Sequence, residues 1–217
     1  MKKTVLYFLM FAACFSVAAQ TRLERGGMLR VFEDINRIWE QFAGNQAIQT
    51  IIIDSTTRTL PPEAFVGTGV QSIEFDANST VSVIPSRAFF GSSSLVSVKL
   101  PPSMRIIERG AFDSCTTLRH ITLPSGLKEI HDAAFRNTRI SRLYIPDTVT
   151  FVGSSLVSDN PNLQSVRLPR NADVDRRNND FYDAYMQNGR KAGVYAKFNE
   201  EWRFQMDRTE RDYYSAF

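Results

Sequence analysis

Residues 111–124 read AFDSCTTLRHITLP and contain both halves of a pattern that runs through the chain. The first half is the Ala-Phe dipeptide at the start of this stretch. The second half is a leucine, two variable residues, Ile121, one variable residue and Leu123, followed by Pro124. Side chains two residues apart lie on the same face of a strand, and a proline removes the backbone donor that would continue it. The stretch therefore predicts a turn, then a short strand with one buried face.

Both halves recur in phase, which indicates a repeat protein. The dipeptide returns every 23 or 24 residues, as Ala64-Phe65, Ala88-Phe89, Ala111-Phe112 and Ala134-Phe135, and Val157 takes the aromatic position in a fifth unit. The strand-like triplets are Ile48/Ile51/Ile53, Val70/Ile73/Phe75, Leu95/Val98/Leu100, Leu118/Ile121/Leu123, Ile140/Leu143/Ile145 and Leu163/Val166/Leu168. One unit cannot bury its own apolar face, whereas stacked units bury a continuous core and align their strands in a parallel sheet. The pattern predicts a solenoid over residues 48–169, with about five to six units of about 23 residues.

The unit from Ala111 to Ala134-Phe135 resembles the BspA-like leucine-rich repeat, also called the treponemal type. The resemblance implies an α/β-type repeat fold, a right-handed solenoid with a parallel sheet on its concave side. It also implies an exported or surface-associated protein, since several members act as adhesins or interaction modules. Cys115 stands where the family has its cysteine, and the other units carry Ser92, Thr68 and Thr138 near that place. This suggests a small buried filler and not a reactive thiol.

The two ends of the repeat region need covers, because a solenoid exposes its core there. We expect an N-terminal cap at 20–47, with an amphipathic helix over roughly 27–43 carrying Trp39. At 170–205 we expect a C-terminal cap of a short helix ending near Gly189 and a hairpin of residues 193–198 with 202–205. The stretch from Ala192 to Trp202 also resembles the closing element of treponemal members. The tail at 206–217 is charged and then aromatic, which fits either a docked end or a sticky segment.

The N-terminus predicts export. Lys2 and Lys3 precede an apolar run that closes on Val17-Ala18-Ala19, so residues 1–19 are typical of a cleaved signal peptide. The alternative is a lipid anchor at Cys14, since the residues before it loosely resemble a lipobox. No later run is long enough for a transmembrane helix, so we expect a periplasmic, cell-surface or secreted protein. The net charge of +3 falls to +1 without Lys2 and Lys3. The chain has no run of five like charges, so we expect no nucleic-acid partner.

Catalytic, cofactor and metal sites are not predicted. The two histidines, His120 and His131, are eleven residues apart and do not form a helical metal pair. Neither stands beside a nucleophile motif, and no glycine-rich phosphate loop occurs. We therefore expect a protein that is not an enzyme and that binds no cofactor.

The candidate binding surface is the concave sheet, where residues that flank the buried strand positions face outward. Basic and aromatic residues concentrate towards the C-terminal end of this surface, and tyrosine and arginine are favoured in interfaces. The candidate partner-binding residues are Lys99, His120, Arg142, Tyr144 and Arg167. They predict a protein partner, from a host or the envelope, or an acidic polysaccharide. The alternatives are a solvated sheet face without a partner, and a self-associating structural protein of the cell envelope.

Overall fold

The computed structural model of the chain describes residues 21–24, 26–32, 41–177, 179–198 and 201–205. The predicted signal peptide at 1–19, including Cys14, and the tail at 206–217 lie outside the described residues. Within the described ranges, no helix has both the length and the apolar character that a membrane span requires.

The described residues form short strands and one short helix. In chain order the strands are β1 (Thr21–Glu24), β2 (Met28–Val31), β3 (Thr50–Ile53), β4 (Ser72–Phe75), β5 (Val83–Ile84), β6 (Ser97–Lys99), β7 (Ile106–Ile107), β8 (His120–Thr122), β9 (Glu129–Ile130), β10 (Arg142–Tyr144), β11 (Phe151–Val152), β12 (Ser165–Leu168), β13 (Asp173–Val174), β14 (Gly193–Phe198) and β15 (Glu201–Gln205). The helix, α1, spans Tyr182–Gln187.

Three sheets arise from these strands, and two of them share the concave side of the solenoid. The N-terminal concave sheet has the order β1-β2-β3-β4-β6-β8, and the C-terminal concave sheet has the order β10-β12-β14-β15. A turn-side sheet of two-residue strands, β5-β7-β9-β11-β13, runs parallel along the other side of the core. The predicted repeat solenoid with a parallel sheet is confirmed.

The parallel register explains why the core is continuous. Ile51 pairs with Ile73, Ile73 with Val98, and Val98 with Ile121, so equivalent side chains of successive units stack in one inward row. All members of this row are buried, and the same holds for Leu143 and Val166 in the C-terminal concave sheet. Burying each such side chain stabilises the fold by about 1.5–3 kcal/mol relative to leaving it exposed.

The Ala-Phe turns form an aromatic ladder through the same core. The rings of Phe65, Phe89, Phe112 and Phe135 are fully buried and nearly parallel. Successive ring centroids are 5.4, 5.5 and 5.7 Å apart. Each Phe backbone N–H donates to a carbonyl of the next unit, at 2.8 to 3.0 Å. The turns therefore join the units by both ring packing and hydrogen bonds.

Left-handed backbone recurs two residues before each aromatic position. The residues with positive φ at this place are Glu63, Arg87, Gly110, Ala133 and Ser155. In each of them the backbone N–H donates to a carbonyl of the next unit, at 2.8 to 3.0 Å. Non-glycine residues adopt this conformation at a cost of about 1–2 kcal/mol, so the inter-unit hydrogen bond has to offset it.

Cys115 occupies the buried polar position that the sequence suggested for a small filler. Its side chain is fully buried, and its Sγ donates to the Phe89 carbonyl oxygen at 3.2 Å. The Ser92 hydroxyl donates in the same way to the Phe65 carbonyl at 3.0 Å. Burial raises the pKa of the Cys115 thiol far above its ordinary value, which disfavours the reactive thiolate.

The predicted N-terminal helix is wrong at residues 28–31, which form β2. This strand pairs in parallel with β3, and Leu29 and Val31 are buried beside Ile51 and Ile53. Leu29 and Val31 alternate in the same way as Ile51 and Ile53, 22 residues later. The core therefore extends one strand further than the six strand-like triplets predicted. Residues 33–40 of the predicted helix lie outside the described residues.

The solenoid continues into a C-terminal hairpin. Strand β14 pairs antiparallel with β12 and with β15, so it adds to the edge of the last repeat strand. The Tyr185 hydroxyl of α1 donates to the Pro169 carbonyl at 2.8 Å and accepts from the Ala172 N–H at 2.9 Å. The role of residues 170–205 as a stabilising cap stays a prediction.

Candidate functional site

The concave face differs in exposure from one end to the other. Lys99 on β6 and His120 on β8 are exposed, because each stands next to the buried central residue of a strand that has only one buried face. Arg142 on β10 is half-buried. Tyr144 is only 8% exposed and Arg167 only 3% exposed. The expectation that all five candidate residues face solvent is therefore wrong for Tyr144 and Arg167.

The Arg167 side chain is engaged in structural contacts. Its two terminal nitrogens donate to the carboxylate oxygens of Asp147 at 2.7 and 2.9 Å, and Nη1 also donates to the Ile145 carbonyl at 3.1 Å. The guanidinium carbon lies 4.8 Å from the centre of the Tyr144 ring, a cation–π distance. Arg167 thus links β12 to β10 and to the turn that follows β10.

The C-terminal hairpin explains part of this burial. Val194 stands opposite Arg167, and Ala196 stands opposite Ser165, in the β12–β14 register. Tyr144, Val194 and Ala196 form a small apolar cluster separate from the main core. The sequence did not indicate this cluster, because the alternation within the repeats cannot show which later segment pairs with the last strand.

A groove opens where the two concave sheets meet. Strands β8 and β10 lie side by side but form no ladder among the described strands, although every other pair of successive repeat strands from β2 to β12 does. The groove at this break has a volume of about 450 Å³ and lies at the start of β8, β10 and β12. The polar side chains that line it are Arg119, His120, Arg139, Ser141, Asn162 and Gln164.

The groove is basic. Arg119, His120 and Arg139 are exposed, and the groove lining contains no aspartate or glutamate. Sequence reasoning missed Arg119 and Arg139 because they flank the first apolar position of a unit, Leu118 or Ile140, and not the strand centre. The signal in the sequence was that Arg119 directly follows this position in one unit and Arg139 directly precedes it in the next.

Opposite charges face each other further towards the N-terminus. The register of β4 and β6 places Glu74 beside Lys99, and these residues line a shallow cleft of about 340 Å³. Beyond them, hydrogen bonds from the Thr56 backbone and hydroxyl hold the pKa of Asp54 below its ordinary value. Arg30 shares the register row of Glu74, so the concave side carries both signs of charge towards its N-terminal end and a basic middle.

The histidines do not share a site. His120 begins β8 on the concave side, whereas His131 follows β9 on the turn side, where its Nε2 lies 2.9 Å from a Glu129 carboxylate oxygen. In the part of the chain that the structure describes, no three histidine, cysteine, aspartate or glutamate side chains are grouped so that they could hold a metal ion.

Comparison with known proteins gives both a family match and structural neighbours. The family model of the BspA type leucine-rich repeat region matches residues 36–164 in six copies, which is more than half of the chain. The pneumococcal vaccine antigen PcpA is 29% identical, with a TM-score of 0.52, over 61% of this chain and 32% of its own. The match thus spans about a third of that structure's length.

Two further solved structures show the same fold. The leucine-rich repeat protein of T. pallidum is 24% identical, with a TM-score of 0.52, over 69% of this chain and 68% of its own. A leucine-rich repeat protein from Bacteroides ovatus is 22% identical, with a TM-score of 0.50, over 61% of this chain and 40% of its own. No curated protein gives a significant match.

Proposed function

This chain belongs to the BspA type leucine-rich repeat family, and we propose that it is an exported, non-catalytic binding module that holds a protein partner against its concave sheet. An adhesin-like role at a host or cell surface is the form of this function that the proposal favours. The partner's contact surface is acidic. Export rests on the signal-peptide pattern of residues 1–19.

The observation that carries the proposal is a patch of exposed basic side chains on neighbouring concave strands. Lys99 and His120 are both exposed, and the β6–β8 register places them diagonally to each other on the same face. Lys99 forms no ion pair within the described residues, although Glu74 stands on the next strand. Half-buried Arg142 extends this patch to β10. Tyr144 and Arg167 support this surface from below and are not offered as contact residues.

A charge reversal on the concave face tests the proposal. We expect the Lys99→Glu/Arg142→Glu variant of the mature chain to bind host cells or isolated envelopes at least about tenfold more weakly, because two favourable contacts become repulsive. The matched control is Lys128→Glu/Arg109→Glu, which makes the same charge change at exposed positions outside the concave strands. Equal binding by both variants and the unmodified chain would contradict a concave contact surface.

Location and N-terminal processing are tested separately. Cleavage after Ala19 gives a mature chain that begins at Gln20, which intact-mass measurement detects. A lipid on Cys14 gives a chain that begins at Cys14, six residues longer and heavier also by the mass of the lipid. Protease added to intact cells degrades a surface protein and spares a periplasmic one. Full retention of residues 1–19 in the mature protein would contradict cleavage.

Self-association is the second candidate, favoured by the apolar exposure of the C-terminal hairpin. Phe198 and Phe204 are 46% and 37% exposed, and β15 is the last strand of its sheet in the described part of the chain. Exposed strand edges with apolar side chains are templates for pairing with another copy. Light scattering distinguishes the two functions: a concentration-dependent mass that Phe198→Ser/Phe204→Ser abolishes supports assembly, and a constant monomer mass contradicts it.

A further inference from the structure

The groove at the break between β8 and β10 has the chemistry of a small anionic ligand site. Two guanidinium groups, from Arg119 and Arg139, border it together with the His120 imidazole. Guanidinium presents donors in a rigid fork that matches a carboxylate with two parallel hydrogen bonds. A ligand with several anionic groups would meet one such fork on each side of the strand break.

The charge on these two arginines is not neutralised within the described residues. Arg87, Arg136, Arg167, Arg177 and Arg203 each form an ion pair with an aspartate or glutamate. For Arg119 and Arg139, the structure records no such pair in the described ranges. Both positions are exposed, so their charge is available to a ligand from solvent.

The remaining lining offers hydrogen-bonding groups that fit the hydroxyls of a sugar. Ser141 offers a hydroxyl, and Asn162 and Gln164 offer amides that both donate and accept hydrogen bonds, as sugar hydroxyls require. The volume of about 450 Å³ falls within the range of small-ligand sites, about 300–1,000 Å³.

We infer that this groove binds a short anionic saccharide, whose carboxylate or sulfate groups pair with Arg119 and Arg139 while its hydroxyls contact Ser141, Asn162 and Gln164. This goes beyond the proposed protein contact, because the two arginines lie outside the residues tested there. An acidic cell-surface or matrix polysaccharide supplies such a ligand chemically, through carboxylated or sulfated units.

Calorimetric titration of the mature full chain tests the inference. The probes are trigalacturonate for carboxylates, a heparin-derived tetrasaccharide for sulfates, neutral maltotriose and a triglutamate peptide. We expect binding of at least one anionic saccharide, which weakens as salt rises because exposed charges are screened. Neither maltotriose nor triglutamate should bind comparably.

Paired variants locate the site. Arg119→Gln/Arg139→Gln should weaken saccharide binding at least about tenfold, since each charge-assisted contact contributes on the order of fivefold or more. The control Arg109→Gln/Arg170→Gln removes the same charge from exposed positions outside the groove and should bind like the unmodified chain. Circular dichroism confirms folding of both.

Three outcomes overturn the inference: no anionic saccharide binds, maltotriose or triglutamate binds as tightly, or both double variants lose affinity equally. Cell binding that survives Arg119→Gln/Arg139→Gln but fails in Lys99→Glu/Arg142→Glu leaves the proposed function intact. The two proposals can therefore fail independently.

Discussion

Replacing Phe112 by alanine removes a ring from the middle of the aromatic ladder. The ring is fully buried and stacks on Phe89 at 5.5 Å and on Phe135 at 5.7 Å. Truncating a buried phenylalanine costs about 3–5 kcal/mol, and each aromatic pair accounts for about 0.5–1.5 kcal/mol beyond area burial. We expect Phe112→Ala to lower the free energy of unfolding by about 4 kcal/mol, because the cavity also costs both neighbouring rings their contacts.

Urea denaturation followed by circular dichroism measures this change. The matched control is Phe198→Ala on β14, where the side chain is 46% exposed and the expected loss is below about 1 kcal/mol. The total stability of a typical domain is about 5–15 kcal/mol, so a loss of this size is a large fraction of it. It would appear as a large shift of the urea midpoint, or as separate unfolding transitions of the repeats on either side of Phe112.

Double-mutant cycles then test whether the ladder couples neighbours. Phe89 and Phe112 are in ring contact, so their joint replacement should depart from additivity by about 0.5–1.5 kcal/mol. Phe65 and Phe135 contact different rings, so Phe65→Ala and Phe135→Ala should add within about 0.5 kcal/mol. A loss below about 1 kcal/mol for Phe112→Ala, or equal coupling in both cycles, would refute the argument.

Three more changes test particular contacts. Arg167→Gln should destabilise the protein by about 2 kcal/mol, because it breaks the paired hydrogen bonds to Asp147, whereas an equal effect in the exposed Lys99→Gln would refute a structural role for Arg167. Hydrogen bonds from Arg177 lower the pKa of Asp175 from 3.8 to about 2. The stability from this pair is present above about pH 4 and is lost as the pH falls through about 2. In the Arg177→Gln variant, NMR titration should find the pKa of Asp175 closer to 3.8. An unchanged Asp175 pKa would exclude Arg177 as the cause. Cys115→Ser should keep the bond to the Phe89 carbonyl and stay within about 1.5 kcal/mol in urea melts; a larger loss than Cys115→Ala would show that the hydroxyl does not fit.

The repeat units were predictable because periodic apolar residues report burial directly. The inward positions in the triplets, such as Ile73 and Leu143, are buried as the period-two alternation predicts, except Phe75 and Leu163, which are half-buried. Leu29 and Val31 follow the same period-two alternation. However, the apolar residues that continue to Trp39 and Phe42 recur at helical spacing, so the sequence predicted a helix there. The offset of 22 residues from Ile51 and Ile53 was the signal for a strand, and pairing with β3 decided the structure of residues 28–31.

The candidate site was predictable only where the strands have one open face. Lys99 and His120 are exposed as the alternation requires, whereas Tyr144 and Arg167 are buried beside β10, β12 and β14. Their burial depends on a hairpin that joins β12 through antiparallel pairing. The groove depends on a missing ladder between β8 and β10, which the regular spacing of the motifs does not reveal.

Left-handed backbone at non-glycine residues was also beyond sequence reasoning. Glu63, Arg87 and Ala133 adopt positive φ although their side chains disfavour it. Their N–H groups bond to the next unit, so the conformation depends on a neighbour more than twenty residues away. Only Gly110, at the equivalent place, carried a local signal.

The inter-unit hydrogen bonds of the Ala-Phe turns also set how such a protein can change in length. Because each unit bonds and stacks only on its neighbours, a duplication or deletion of one whole unit reproduces the same set of junctions. An insertion of a few residues would break the register between neighbouring units unless it bulges out of a loop. The ring sequence ends after Phe135, where Val157 follows in its place. New units are therefore expected to be accommodated between Phe65 and Phe135, and the hairpin would move outward without altering its own contacts.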